Sequence, residues 1–441
     1  MKPSEAQERR PPAAGEIAGR YDGVVAAVGL AVILRLLIER RSIPGVTQDS
    51  LIYVRLEPHA PFAPFSPTRP SGYPLVMRFL DWLPGSMLDA VTAAQHAAGV
   101  AIGVLVYLIA VRAGVRRWIA VAAAAVPLFD AYTVALEQAI LAETSFTLAV
   151  VAAAYLALDR GASGRKLAGS GLLLGLACTI RTVGLLVVPL WLAWLLLGKV
   201  GPRRVLAGLA GAALPVVAYC TMHAVEGAGF GLVEADGWYL YGKVAPIADC
   251  AGADVPRAAA PLCVPPAGRS FEFYLYDGAS PAHQLFSGGR SVDLEEAVTP
   301  ENNGLLRRFS LAVIRAHPVS FVRAVAKELV RYLGPSDPQN ELSLYGKPGT
   351  PVALYERWLH MPWWLVPGAM AAGTALVVLD RRAREAALLV GIPAALVLAA
   401  AATSGFNSRY LLPGLPLLAA VCALAGEEAL TWWRSRARPS R

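Results

Sequence analysis

Residues 47–56 read TQDSLIYVRL, and beyond a Pro-rich stretch residues 68–80 read TRPSGYPLVMRFL. Both follow the first apolar run of the chain, and they place an acid, Asp49, and a cation, Arg69, at its mouth. A site serving a lipid-anchored molecule needs charges at that level.

Working outward, the chain has 441 residues, 56% hydrophobic and 16% charged, and so reads as an all-α polytopic membrane protein rather than a set of soluble domains. A span needs roughly 20 apolar residues to cross a hydrocarbon core about 30 Å thick. That ruler predicts about ten transmembrane helices, near 22–38, 88–111, 118–135, 140–158, 167–181, 183–198, 205–224, 363–379, 386–402 and 410–430. The first begins some way into the chain after a polar lead, lacks a small-residue cleavage site and is expected to stay as an anchor.

Basic clusters set the orientation. RRPPAAGEIAGR, RAGVRR, RGASGRK, KVGPRR, DRRAR and the tail WWRSRARPSR fall on one side if both termini are cytoplasmic. The net charge of +8 is then a topology signal, and nucleic acid is not an expected partner. The expected organisation is a cytoplasmic tail 1–21; a seven-span core 22–224 with a first outer loop 39–87; an extracytoplasmic insertion 225–304; an amphipathic surface helix and loop 305–362; three last spans 363–430; and a basic tail 431–441. Function is expected on the side of the long insertions, which lie outside the cytoplasm in this topology.

Of five cysteines, Cys178, Cys220 and Cys422 fall inside predicted spans, while Cys250 and Cys263 lie in ADCAGADVPRAAAPLCVPP of the insertion. A disulfide between that pair is expected outside the cytoplasm, with two free thiols as the alternative. No other Cys or His is spaced to complete a zinc site, and the six histidines share no ligand spacing.

HPVSFVRAVAKELVRYLGP, residues 317–335, puts Phe321, Val322, Val325, Leu329 and Leu333 on one helical face and Arg323, Lys327 and Arg331 on the other. It reads as a helix lying on the membrane surface, serving either as an anchor or as a grip for a phosphate. A second, shorter such segment is GYPLVMRFLDWLPG.

Ionisable residues near membrane depth are functional candidates by default. Asp49, Glu143 in AILAETSF, Arg181 in CTIRTVG, and Arg409 with Tyr410 in GFNSRYLLPG fall on one side in the predicted topology. Acids and cations at one level can bind a phosphate and a hydroxyl together. Each has a plainer reading: Asp49 as a cap for a helix starting at Ser50, Glu143 and Arg181 as a structural pair, Arg409 as an interface anchor. Arg35, inside the first span, is expected to snorkel or to pair internally.

An acid soon after the first span, RPSGYPL before the second, EQAILAETSF entering the fourth, IRTVGLLVVP at the sixth and SRYLLPGLPLL opening the last together resemble GT-C fold membrane glycosyltransferases. The pattern is similar to the phospholipid-carrier-dependent enzymes related to protein mannosyltransferases and aminoarabinose transferases. It covers the first seven spans and the last one or two; the insertion has no counterpart in it. The resemblance implies a polyprenyl-phosphate sugar donor, transfer to an acceptor hydroxyl with inversion, and a carboxylate base, carried over to Asp49. It implies donor-phosphate contacts from Arg69, Arg181 and Arg409, and a second acid at Glu143 that orients the acceptor or a metal; the basic surface helix adds Arg323 and Lys327 as further phosphate-binding candidates. Tyr53, Tyr73 and Tyr410 are the accompanying candidates for acceptor or donor contact. Where the family often carries Asp-Glu after the first span, this chain has Asp49-Ser50, which weakens any link to the protein O-mannosylating branch.

The implied partners are the lipid donor, the bilayer and a cell-envelope glycan, glycolipid or protein acceptor; the implied location is a bacterial plasma membrane with the site facing outside. No certain cofactor follows, and a divalent metal is compatible with an acid pair. The competing readings are a transporter or flippase, which intramembrane charges also suit, and a membrane assembly factor whose insertion binds a partner. No internal repeat is evident that would favour transport.

Overall fold

The computed structural model describes residues 22–55, 66–159, 161–226, 229–264, 268–290, 293–335, 355 and 358–437. The predicted tail 1–21, the middle of the first outer loop, most of the loop after residue 335 and the last residues of the basic tail lie outside the described residues. The described chain is helical, with one isolated bridge between Gly45 and Ala139.

The expectation of about ten spans is corrected. Among the described residues four helices are long and apolar enough to cross a membrane: Met87–Arg112, Pro202–Val225, Ala383–Thr403 and Arg409–Arg436. The number rises to six if Arg117–Phe129 with Ala131–Gln138, bent by 45°, and Pro300–Ala316 with Pro318–Leu333, bent by 101°, each count as one. Apolar letters run on through helix breaks that a hydropathy ruler does not register. Glu143–Ala157, Gly184–Leu197 and Leu365–Val378 are apolar but stop at 15, 14 and 14 residues. At about 1.5 Å per residue these reach roughly 21–23 Å, short of a core of about 30 Å. Helix Arg117–Phe129 ends because Asp130 leaves helical geometry and caps the next segment, accepting from Thr133 N at 2.9 Å. The first helix, Asp22–Glu39, carries Asp22, Arg35 and Glu39 within its 18 residues.

The main core joins helices Met87–Arg112, Arg117–Phe129, Glu143–Ala157, Gly164–Ile180 and Leu415–Arg436, with small residues such as Ala110, Ala124, Ala154 and Ala420 fully buried. Small side chains at the seams let backbones approach closely. Within it Arg35 pairs internally instead of snorkelling. It meets the Glu137 carboxylate through two bonds of 2.7 Å, and His96 Nδ1 lies 2.8 Å from the same carboxylate.

A second core is built from Trp238, Tyr241, Tyr274, Leu275, Leu306, Phe309 and Val313. It packs helix Asp236–Val244 against Pro300–Ala316, and the Cys250–Cys263 disulfide closes a loop beside it. From His317 the chain turns sharply into the amphipathic helix Pro318–Leu333, with Pro318 in its first turn and Gly334 after its end. That helix buries Val325 and Tyr332 against Val397, Ala400 and Ala401 and leaves Val319, Val322 and Val330 exposed.

Candidate active site

Asp49 stands in the first turn of helix Gln48–Arg55. Thr47 serves that helix as its cap, because its Oγ1 accepts from Ser50 N at 3.3 Å while Ser50 Oγ accepts from Thr47 N at 2.9 Å. The Asp49 carboxylate is therefore free to face elsewhere. Upstream, Gly45 is stitched to the stretch leading into Glu143: Gly45 N donates to Gln138 O, and Ile140 N donates to Gly45 O, both at 2.9 Å. The bridge thus ties the two acid-bearing segments together.

Three arginines close on these acids. Arg69 Nη2 donates to Asp49 Oδ1 at 2.8 Å, and Arg409 Nη2 donates to Asp49 Oδ2. Arg181 pairs with Glu143 Oε1, and Arg409 Nε lies 3.6 Å from that same oxygen, too long for a hydrogen bond. Arg409 is shared between the two acids, and its Nε is buried without a hydrogen-bond partner. Asn407 sets its position by capping the 3-10 turn Ser408–Gly414, accepting from Arg409 N at 3.0 Å.

Depth separates the two acids. Glu143 is 2% exposed, whereas the side chains of Asp49, Arg69 and Arg181 are 20%, 19% and 21% exposed. Glu143 is the most buried acid of the cluster, and the part-exposed side chains of Asp49, Arg69 and Arg181 mark its opening to solvent. Burial alone would raise the Asp49 carboxyl, but the Arg69 and Arg409 guanidiniums beside it hold it well below the usual carboxylate range. Three guanidiniums against two carboxylates leave one positive charge over.

Aromatic rings line this charge. Tyr410 lies beside both Arg181 and Arg409, at 5.3 and 5.4 Å from ring centroid to guanidinium carbon. Tyr53 meets Tyr73 edge-on at 5.0 Å, and Tyr73 OH donates to Gln95 Oε1 at 3.0 Å. Burial pushes the Tyr53 phenol up to about 12, so it stays neutral.

The structure thus gathers Asp49, Glu143, Arg69, Arg181, Arg409, Tyr53 and Tyr410 into one cluster, with Tyr73 behind Tyr53. It does not bring Arg323 and Lys327 to it; both are exposed on helix Pro318–Leu333. Sequence reasoning passed over Tyr239, whose hydroxyl accepts from Arg69 Nη1, and Tyr276, which hydrogen-bonds the same arginine. The aromatic run WYLYGK at 238–243 was the available signal.

Among the described residues no group of three or more His, Cys, Asp or Glu side chains is placed to hold a metal ion. Asp49 and Glu143, each already faced by guanidiniums, do not fit a divalent cation in this arrangement.

No family model matches the chain, and no curated protein matches it. Among solved structures, it is similar to the oligosaccharyltransferase AglB of Archaeoglobus fulgidus in complex with an inhibitory peptide and a dolichol-phosphate, at 15% identity and a TM-score of 0.44, covering 96% of this chain and 53% of that one. It is also similar to ArnT of Cupriavidus metallidurans bound to undecaprenyl phosphate, at 14% identity and a TM-score of 0.38, covering 93% and 78%. A third is the A. fulgidus oligosaccharyltransferase in complex with Zn and sulfate, at 16% identity and a TM-score of 0.42, covering 94% and 50%. The chain spans about half the length of the oligosaccharyltransferase structures it matches.

Proposed function

We propose that this protein is a membrane glycosyltransferase that moves a sugar from a polyprenyl-phosphate donor to an acceptor hydroxyl. The observation that carries the reading is the placement of a carboxylate between two guanidiniums, with a third nearby and one positive charge in excess. Such a site binds an anion and keeps a proton acceptor beside it.

The depressed basicity of Asp49 fixes the order of events. Locked between two arginines, it is a weak base. A phosphodiester drawn to the surplus charge competes for Arg69 and Arg409, and as these turn to the phosphate the carboxylate regains basicity beside the acceptor. The acceptor oxygen then attacks the anomeric carbon, the bond from that carbon to the phosphate oxygen breaks, and the electron pair leaves with the phosphate. Asp49 takes the hydroxyl proton. The phosphate gains a negative charge as it departs, and preorganised guanidiniums stabilise that charge more in the transition state than in the ground state. Attack opposite the leaving phosphate inverts the anomeric centre. Glu143 holds Arg181 and Arg409 from below, and Tyr53 and Tyr410 line the sugar's approach.

In this reading the site faces out of a bacterial plasma membrane, with both termini cytoplasmic. A lipid-borne donor suits a compartment without nucleotide sugars, and the acceptor is an envelope glycan, glycolipid or protein. The test is mass spectrometry of lipids copurified in mild detergent with wild type and Asp49→Asn. A polyprenyl-phosphate sugar held by both, and consumed only by wild type when membrane extract is added, supports the reading. Absence of such a lipid from both proteins points to a transporter instead.

A further inference from the structure

Helix Asp236–Val244 belongs to the outer insertion, yet it touches both loops that bring arginines to Asp49. Tyr239 and Lys243 lie four residues apart, on one face. The Tyr239 hydroxyl accepts from Arg69 Nη1, and the guanidinium carbon lies 5.5 Å from the ring centroid. Lys243, 6% exposed, donates to Ser404 O at 3.4 Å, just ahead of Asn407 and Arg409, and stands 3.8 Å from Glu328 Oε1 of the surface helix.

Other insertion contacts grip the same two loops. Thr68 Oγ1 donates to Glu295 Oε1 at 2.9 Å, Ser66 also bonds Glu295, and Glu234 N donates to Pro67 O at 2.8 Å. At the second loop Gly405 packs on Phe271 of the insertion, while Tyr332 OH of the surface helix donates to Gly405 O at 3.2 Å. The helix is itself locked: Asn303 Oδ1 accepts from Gly237 N at 2.7 Å and Trp238 N at 3.2 Å, and a Cβ at position 237 would collide with the Asn303 backbone.

The geometry points to helix Asp236–Val244 as the positioning element of the anion site, with Tyr239 and Lys243 as positioning residues that set the gap between Arg69 and Arg409. The inference rests on the phosphate-binding reading above and gives the insertion a role in it. Arg69 uses one terminal nitrogen on Asp49 and the other on Tyr239. When phosphate displaces Asp49, the phenol keeps the guanidinium plane aimed into the opening.

The test is calorimetric titration of farnesyl phosphate, a short polyprenyl phosphate, into the full-length protein in detergent. Tyr239→Phe, which keeps the ring and removes the hydroxyl, is expected to weaken binding about tenfold, the loss of one charge-assisted hydrogen bond. Lys243→Met should weaken it too. In an Arg69→Gln background Tyr239→Phe should have no further effect, because the phenol acts through that arginine. Apparent melting temperatures of the single variants separate these effects from unfolding. The inference is overturned if Arg69→Gln weakens binding while Tyr239→Phe binds as wild type, or if the Tyr239→Phe effect is undiminished in the Arg69→Gln background. If Arg69→Gln and Arg409→Gln both bind as wild type, the anion site itself is refuted and the inference falls with it.

Discussion

Asp49→Asn is expected to move donor binding and turnover in opposite directions. In the resting site the carboxylate holds a charged hydrogen bond from Arg69 at 2.8 Å and another from Arg409. A hydrogen bond to a charged group contributes about 1.5–3 kcal/mol, roughly twice a neutral one. An asparagine keeps one uncharged acceptor oxygen for one arginine, and its amide nitrogen cannot accept from the other, so the competition that phosphate must overcome falls by about 1.5–3 kcal/mol, one charged contact. The Asp49 side chain is 20% exposed, which places the effect at the lower end. Farnesyl phosphate should therefore bind Asp49→Asn about tenfold more tightly than wild type. Turnover should fall by about 10²–10⁴, the usual contribution of a positioned general base. Calorimetry with farnesyl phosphate and a turnover assay with the identified donor, on the same preparations, measure both. Weaker phosphate binding by Asp49→Asn would refute the idea that the carboxylate competes with phosphate for the arginines, and unchanged turnover would remove Asp49 as the base.

The pH dependence carries its own sign. Because the Asp49 carboxyl is lower in the folded protein than its unfolded value of about 3.9, its contribution to stability is fully present above about pH 5 and is lost only as pH falls through the folded value. The difference in apparent melting temperature between wild type and Asp49→Asn should accordingly stay constant from pH 5 to 8 by fluorescence melting. Glu143→Gln leaves Arg181 without its buried counter-charge and should cost several kcal/mol of stability, more than Asp49→Asn at the more exposed acid; parallel melts report the contrast. Replacing Cys250 and Cys263 by serine removes a cross-link between residues 13 apart and should cost about 3 kcal/mol, read as a lower melting temperature of the insertion. Gly99→Ala puts a Cβ onto the Glu137 carboxylate that pairs with Arg35 and His96, so its yield and melting temperature should drop while Leu105→Ala, only partly buried against the core, has the smaller effect.

What was legible in the sequence follows the range of the interactions involved. Apolar runs identify a helical membrane chain because burial depends on composition. They miscount spans because a break such as Phe129-Asp130-Ala131 depends on one side chain capping a backbone. The plainer reading of Asp49 as a cap turned on which residue starts the helix, and Thr47 takes that place. Arg35 could be flagged as costly at membrane depth, but its partner Glu137 is 102 residues away, and nothing local to either residue announces the pair. The Arg409–Asp49 bond spans 360 residues. Sequence placed both on one level; only the folded chain makes one arginine serve two acids. Tyr239 lay in the aromatic run WYLYGK, which marks a candidate surface but says nothing of a partner 170 residues away.

The difference in depth between the two acids separates their chemistry. A group that must take a proton from an incoming hydroxyl has to be reached by it, and Asp49 stands at the opening with a fifth of its side chain exposed. Glu143 lies beneath, 2% exposed, with Arg181 and Arg409 between it and solvent. If Glu143 were the base, the acceptor would have to pull both guanidiniums away from a buried carboxylate, leaving charges unpaired at several kcal/mol each. If Glu143 instead fixes those guanidiniums, it holds Arg181 beside Arg409 and preserves the surplus charge facing the donor. In the proposed reaction, environment then divides two like residues into a base and a counter-ion, a separation of roles that differing burial can impose on two carboxylates in one site.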